Sequence, residues 1–184
     1  MSKKIAHIIT GCQHADPQSQ RDLFDLFNKK LYGVAVNYLH NKEDAKEALQ
    51  ESWIQIFNSI SSYNDQGLFE GWLKTIVIRV CWKAIRVNKG ALSIDNFHDV
   101  TREDHVRQVY DKMTCDELLS LINFIPPTAR TVFTMFVVDQ YSHQEISEAL
   151  SIEVSTSRAH LSRARKLLKE KYFSMNQIAQ NGTQ

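Results

Sequence analysis

Residues 141–171 read YSHQEISEALSIEVSTSRAHLSRARKLLKEK, the pattern of a helix-turn-helix whose second helix is loaded with cations. Ser142-His143-Gln144-Glu145 has the form of a capping box, in which a serine hydroxyl and the carboxylate three residues on each accept a backbone N–H. A helix is therefore predicted to start there, with Ile146, Ala149 and Leu150 as its apolar face. Ser151 to Val154 reads as a short break, and Ser155 or Thr156 as the cap of a second helix. On that helix Ser157, Leu161, Ala164 and Leu168 fall on one stripe, and Arg158, Ser162, Arg165 and Lys169 on another. Arg158 to Lys171 holds six Lys/Arg against one acid. A buried seam beneath a basic, hydrogen-bonding face is what a helix entering a major groove requires. A solvated surface helix shares that composition, so the rest of the chain must separate the two readings.

The 184 residues allow one large domain or two small ones. Six glycines and three prolines among abundant helix formers predict an all-α fold. The net charge of +1 is low for a nucleic-acid binder, but the charges are segregated. Residues 71–94 hold five Lys/Arg and no acid, whereas 43–51 and 95–104 hold four acids each. Separate basic and acidic surfaces suggest a nucleic-acid partner and a basic protein partner. Cys12, Cys81 and Cys115 are odd in number and lack metal-type pairing, which fits free thiols in a reducing cytoplasm. His7, Cys12 and His14 have no fourth ligand nearby, so no metal or cofactor is expected. The apolar run Ile5 to Ile9 is too short for a secretory core, and no stretch approaches the ~18 apolar residues of a membrane span.

Working outward, residues 20–40 carry Leu23, Phe24, Leu26, Phe27, Leu31, Val34, Ala35, Tyr38 and Leu39, a helix with a wide buried face. Asn41 is the expected N-cap of a second helix reaching about Ile60, apolar at Ala45, Ala48, Leu49, Trp53, Ile56 and Phe57. Asp44, Glu47 and Glu51 line its polar side with Gln50; three acids in succession along one side suit a basic protein surface, and a solvated face is the plainer reading. Residues 61–68 are turn formers. A third helix, about 70–88, turns Trp72, Leu73, Ile76, Val77 and Val80 inward and Arg79, Lys83 and Arg86 outward. Trp82 lies beside those cations, as a core residue or a base platform. Tyr63 stands in the polar loop, where an aromatic ring can recapture the stacking of an unpaired base. Residues 88–112 lose periodicity and read as a linker. Periodicity returns at Asp116, Pro126-Pro127 ends one helix or opens the next, and Thr128 to Asp139 is a further helix. Residues 174–184 are expected to fray.

In order and spacing, these pieces resemble the extracytoplasmic-function (ECF) class of bacterial RNA polymerase sigma factors. The first half is similar to the family's region two through DAKEALQE at 44–51, Tyr63, FEGWLKTI at 69–76 and Arg86. The second is similar to region four through LINFIPPTAR at 121–130, Ser142 with Glu145-Ile146, Thr156 with Arg158, and Leu161-Ser162-Arg163-Ala164-Arg165. The resemblance implies two small helical domains: 1–88 for polymerase binding and promoter melting, and 116–173 as a helix-turn-helix. A linker at 89–115 is too short for the middle domain of larger sigma factors, and 174–184 is a disordered tail.

The implied roles follow residue by residue. Asp44, Glu47, Gln50 and Glu51 meet core RNA polymerase. Tyr63, Arg79, Trp82, Lys83 and Arg86 melt and hold the downstream promoter element. Ser142, Thr156, Arg158, Ala159, Ser162 and Arg163 meet the upstream element. Arg79 stands where the family usually has Asn and Lys83 where it often has Asp, adding positive charge to the face expected on DNA. Ser151 replaces the usual glycine of the turn, so backbone strain is expected there. The linker acids Asp95, Asp99, Glu103 and Asp104 either mimic RNA charge or belong to a plain tether. An anti-sigma inhibitor, of a kind often attached to the membrane, is implied, and no small-molecule substrate is. No catalytic constellation accompanies the acids, so the chain is not read as an enzyme. The alternative from another class is a helix-turn-helix regulator with an effector or dimerisation domain in residues 1–88. An anti-sigma or adaptor protein would lack the basic helix.

Overall fold

A computed structural model describes residues 3–64, 68–88 and 121–181 of the chain. Among these residues every regular element is helical. The chain divides into two compact units, Met1–Gly90 and Ala91–Gln184. The linker residues named above, with Cys115 and Asp116, lie outside the described residues.

The first unit contains α1 (Lys3–Gln13), α2 (Pro17–Leu39), α3 (Lys42–Ser59), a 3-10 turn (Ile60–Ser62) and α4 (Phe69–Asn88). The turn between α1 and α2 is tight. Ala15 adopts φ 58° and the Asp16 N–H reaches back to the Gly11 carbonyl at 3.0 Å, a left-handed helix stop that glycine ordinarily fills. Asp16 then caps α2, its carboxylate accepting from Ser19 N at 2.8 Å and from Ser19 Oγ at 2.6 Å. Those bonds hold its pKa below the usual carboxylate value. α2 ends on left-handed His40, and Asn41 caps α3 as expected, accepting from Glu43 N at 2.9 Å. Leu23, Leu31 and Ala35 of α2, Ala45 and Ile56 of α3, and Leu73, Val77, Ile78 and Cys81 of α4 are fully inside.

Two expectations for α2 are corrected. Phe24 and Leu26 are 39% and 49% exposed. Four apolar residues crowded into 23–27 cannot all face one way at 100° per residue, and the i, i+4 pair Leu23 and Phe27 takes the core. The apolar residues before Gly11 also form a helix the sequence reading left unassigned. Ile8, Ile9 and Cys12 are buried, and with Ile5 they follow helical spacing.

The second unit contains α5 (Pro127–Phe133), a π-helical turn (Thr134–Val138), α6 (His143–Leu150) and α7 (Val154–Asn181). Pro127 opens α5, where its missing N–H costs nothing. The expected single helix to Asp139 is corrected: its second half widens, with the Asp139 N–H on the Thr134 carbonyl at 3.0 Å and the Tyr141 N–H on Met135 at 2.9 Å. The widening leaves Val137 and Val138 outward, 41% and 61% exposed. α7 begins at Val154, so Ser155 and Thr156 lie inside its first turn rather than capping it. The helix also runs on to Asn181, past the expected boundary at 173. Leu121, Ile125, Val132, Phe133, Met135, Ile146, Leu161, Ala164 and Leu168 form the core of this unit.

Candidate nucleic-acid interface

In the helix-turn-helix, both members of the capping box are in place. Ser142 N donates to Glu145 Oε2 at 2.7 Å, Ser142 Oγ donates to the same oxygen at 2.7 Å, and Glu145 N donates to Ser142 Oγ at 3.2 Å. These bonds lower the Glu145 pKa. An ionised carboxylate therefore sits on the first turn of α6. Ser142 is committed to this cap, and an anion approaching there meets like charge. The turn that follows passes through Ser151 at φ 53°, ψ 50°, the strained position expected from the missing glycine.

α7 buries the anticipated seam: Ser157, Leu161, Ala164 and Leu168 are all below 4% exposed. Arg158 and Lys169 are exposed on its outer side, and Thr156, Ala159, Ser162, Arg163 and Arg165 are half-buried. Arg165 is drawn over the Phe136 ring at 5.7 Å. Phe136 in turn stacks on His143 at 4.6 Å, and His143 Nδ1 lies 2.9 Å from the buried Ser157 hydroxyl. That polar strut ties the first turn of α6 to the first turn of α7. Sequence reading gave His143 no role, and nothing local marks it. Arg130 of the matched motif is buried in α5, where desolvation lowers its pKa.

In the first unit α4 is buried on almost every side, and Arg79, Lys83 and Arg86 form its exposed stripe. Trp82 is corrected: at 6% exposure it belongs to the core and not to that stripe. Tyr63 is half-buried rather than set out in solvent. Its ring meets Phe69 edge-on at 5.0 Å and Trp72 at 5.3 Å, and Phe69 stacks on Trp72 at 5.6 Å. Phe69 is buried and Trp72 half-exposed, so Trp72 is part of this aromatic ledge and not an interior anchor.

On α3, Glu47, Gln50 and Glu51 are exposed and Asp44 half-buried. Glu51 Oε1 accepts from Gln55 Nε2 at 2.9 Å. Ile54, four residues beyond Gln50, is 57% exposed. Beside it, Phe24 packs on Trp53 at 5.0 Å, and Trp53 stacks on Phe57 at 5.4 Å. The acidic face thus borders an apolar one. Cys12 is buried, and desolvation, with Asp16 and Asp22 nearby, pushes its thiol up to about 11.

Comparison with known proteins agrees with this arrangement. Residues 23–90 match the family model for sigma-70 region 2 and residues 115–168 that for sigma-70 region 4. The chain is 28% identical over 167 residues to the ECF RNA polymerase sigma factor SigE of Mycolicibacterium smegmatis, covering 88% of this chain and 64% of that protein. It is 25% identical over 185 residues to the ECF RNA polymerase sigma factor SigW of Bacillus subtilis, covering 92% and 97%. Among solved structures, CnrH in complex with the cytosolic domain of CnrY has the same fold, with TM-score 0.52 at 13% identity over 91% of this chain and 96% of that one. The chain belongs to the ECF class of RNA polymerase sigma factors. The effector-domain alternative gives way, because the residues it needed match region 2.

Proposed function

We propose that this chain binds core RNA polymerase through the Asp44, Glu47, Gln50 and Glu51 face of α3 and directs it to promoters read by α7. The observation that carries this is the exposed basic side of α7 above a seam of Ser157, Leu161, Ala164 and Leu168 with under 4% exposure. Such a helix is fixed by its core and free to present side chains to base edges. Arg158, Ala159, Ser162 and Arg163 are the readers, and Thr156 the phosphate contact at the N-terminus of α7. Ser142 is left to its capping role. The Arg79, Lys83 and Arg86 stripe tracks strand phosphates. Tyr63 and Trp72 receive an unstacked base. Linker residues 89–115 join the two domains, their acids competing with RNA for a basic channel.

An inhibitory partner covering both domains would bury exposed apolar residues of each, Phe24, Leu26 and Ile54 in the first unit and Val137 and Val138 in the second. Its membrane attachment, and a cytoplasmic location for this chain, belong to the same proposal. No helix among the described residues is long and apolar enough to cross a membrane.

The test is reconstitution with core polymerase, followed by promoter selection from a randomised upstream element. Arg158→Ala is expected to cost about 1–3 kcal/mol and to relax preference at one or two positions. Equal weakening on all sequences would make Arg158 a phosphate contact. Failure of the chain to co-purify with core polymerase would remove the proposal.

A further inference from the structure

The turn that carries Tyr63 is held from outside its own sequence neighbourhood. Gln13, the last residue of α1, donates from Nε2 to the Ile60 carbonyl at 3.3 Å and to the Tyr63 carbonyl at 3.0 Å. Both amide protons are therefore used. A flipped carboxamide would set its oxygen against two carbonyl oxygens, so the partners fix the assignment. The Ile60 carbonyl also accepts the Tyr63 N–H at 3.1 Å. Gln13 and that internal bond together close the turn, and the Tyr63 ring leans on Phe69 and Trp72 of α4. The ring is thus placed by α4 and its backbone by α1.

α1 is built to deliver Gln13 to this point. Ile8, Ile9 and Cys12 are buried along it. Gly11 permits the close approach to α2, because a Cβ there would lie 2.0 Å from Ser19 Oγ and 2.6 Å from Ser19 Cβ. The left-handed Ala15 and the Asp16 cap then fix the angle at which α1 leaves α2. α1 also precedes the residues matching sigma-70 region 2, which begin at 23.

We propose that Gln13 is a positioning residue for strand opening, holding the Tyr63 turn so that the ring and Trp72 present one ledge to an unpaired base. This rests on the reading of Tyr63 given above. The test uses the full chain with core polymerase on a duplex promoter, with permanganate reactivity of unpaired thymines as the readout. Gln13→Ala and Gln13→Met, the latter keeping the volume without the donors, are expected to lower the open-complex fraction about three- to tenfold, the scale of one or two lost hydrogen bonds. Affinity for core polymerase and for the closed promoter is expected to stay unchanged. The double variant Gln13→Met/Tyr63→Ala is expected to open no less DNA than Tyr63→Ala alone. Normal opening by both Gln13 variants beside a defective Tyr63→Ala would overturn the positioning role and leave Tyr63 standing. Normal opening by Tyr63→Ala would overturn both. Losses that multiply in the double variant would show Gln13 acting by another route and overturn the proposal.

Discussion

Replacing Ser151 by glycine is expected to stabilise the helix-turn-helix unit by about 0.5–1 kcal/mol. Ser151 sits at φ 53°, ψ 50°, with its N–H bonded to the Ser147 carbonyl and its side chain in solvent. A residue carrying Cβ in this left-handed region costs roughly 1–2 kcal/mol, and glycine has no such cost. Glycine also loosens the unfolded chain, which gives back about 0.4–1 kcal/mol. The difference is the expected gain. No other contact should change, because Ser147 makes the bonds that hold the turn. Its hydroxyl donates to the Ile152 carbonyl at 2.6 Å, and its carbonyl accepts the Ile152 N–H at 3.2 Å. For a unit of this size the gain corresponds to a rise in Tm of about 2–8 °C. Differential calorimetry of the full chain is the assay, with Ser151→Ala as control, because alanine keeps Cβ and should bring no gain. A lower Tm for the glycine variant, or an equal rise for the alanine one, would refute the strain argument. Base preference at the upstream element should not change.

Two further predictions concern titration. Burial first, and Arg163 second, hold the His160 imidazole below its ordinary pKa of 6.5. Folding thus favours the neutral ring, and its contribution is complete above pH 6.5 and lost as pH falls through the depressed value. His160→Gln should show a smaller drop in Tm between pH 7.5 and pH 5 than the parent; an equal drop would clear His160 of the acid sensitivity. Burial pushes the Cys81 thiol up to about 12, and Cys12 rises to about 11. Their contribution is present below pH 9 and lost as pH rises from there towards those values. Alkylation at pH 8, followed by peptide mapping, should label both far more slowly in the native chain than in denaturant. Rapid native labelling of Cys81 would contradict its burial.

Much of the fold was legible because helix caps and apolar stripes are local. Asn41, the Ser142–Glu145 box and the Ser157-to-Leu168 seam needed only spacing and donor–acceptor chemistry, and the family resemblance followed from their order. What could not be read depends on neighbours distant in sequence. Trp82 shares its stretch with Arg79, Lys83 and Arg86, yet α4 is enclosed by its neighbours and leaves only a narrow stripe outside. The widening at Thr134–Val138 has no local signature. α1 had one, in Ile5, Ile8, Ile9 and Cys12, but an apolar run near an N-terminus invites comparison with a targeting segment before a helix.

The candidate site divides along the same line. Charged residues proposed to meet a partner stand out of the core, so Arg158, Arg79 and Glu47 are marked by where they break the apolar pattern. Residues that only hold others in place carry no such mark. Glutamine at 13 and histidine at 143 are each unremarkable in sequence, and each acquires a role from contacts made across the fold. The N-terminal unit makes the consequence concrete: the backbone at Tyr63 is bonded by a carboxamide 50 residues away. On the proposed role of Gln13, two sequences sharing every motif residue would differ in how well they open DNA, through a helix that the motifs do not include.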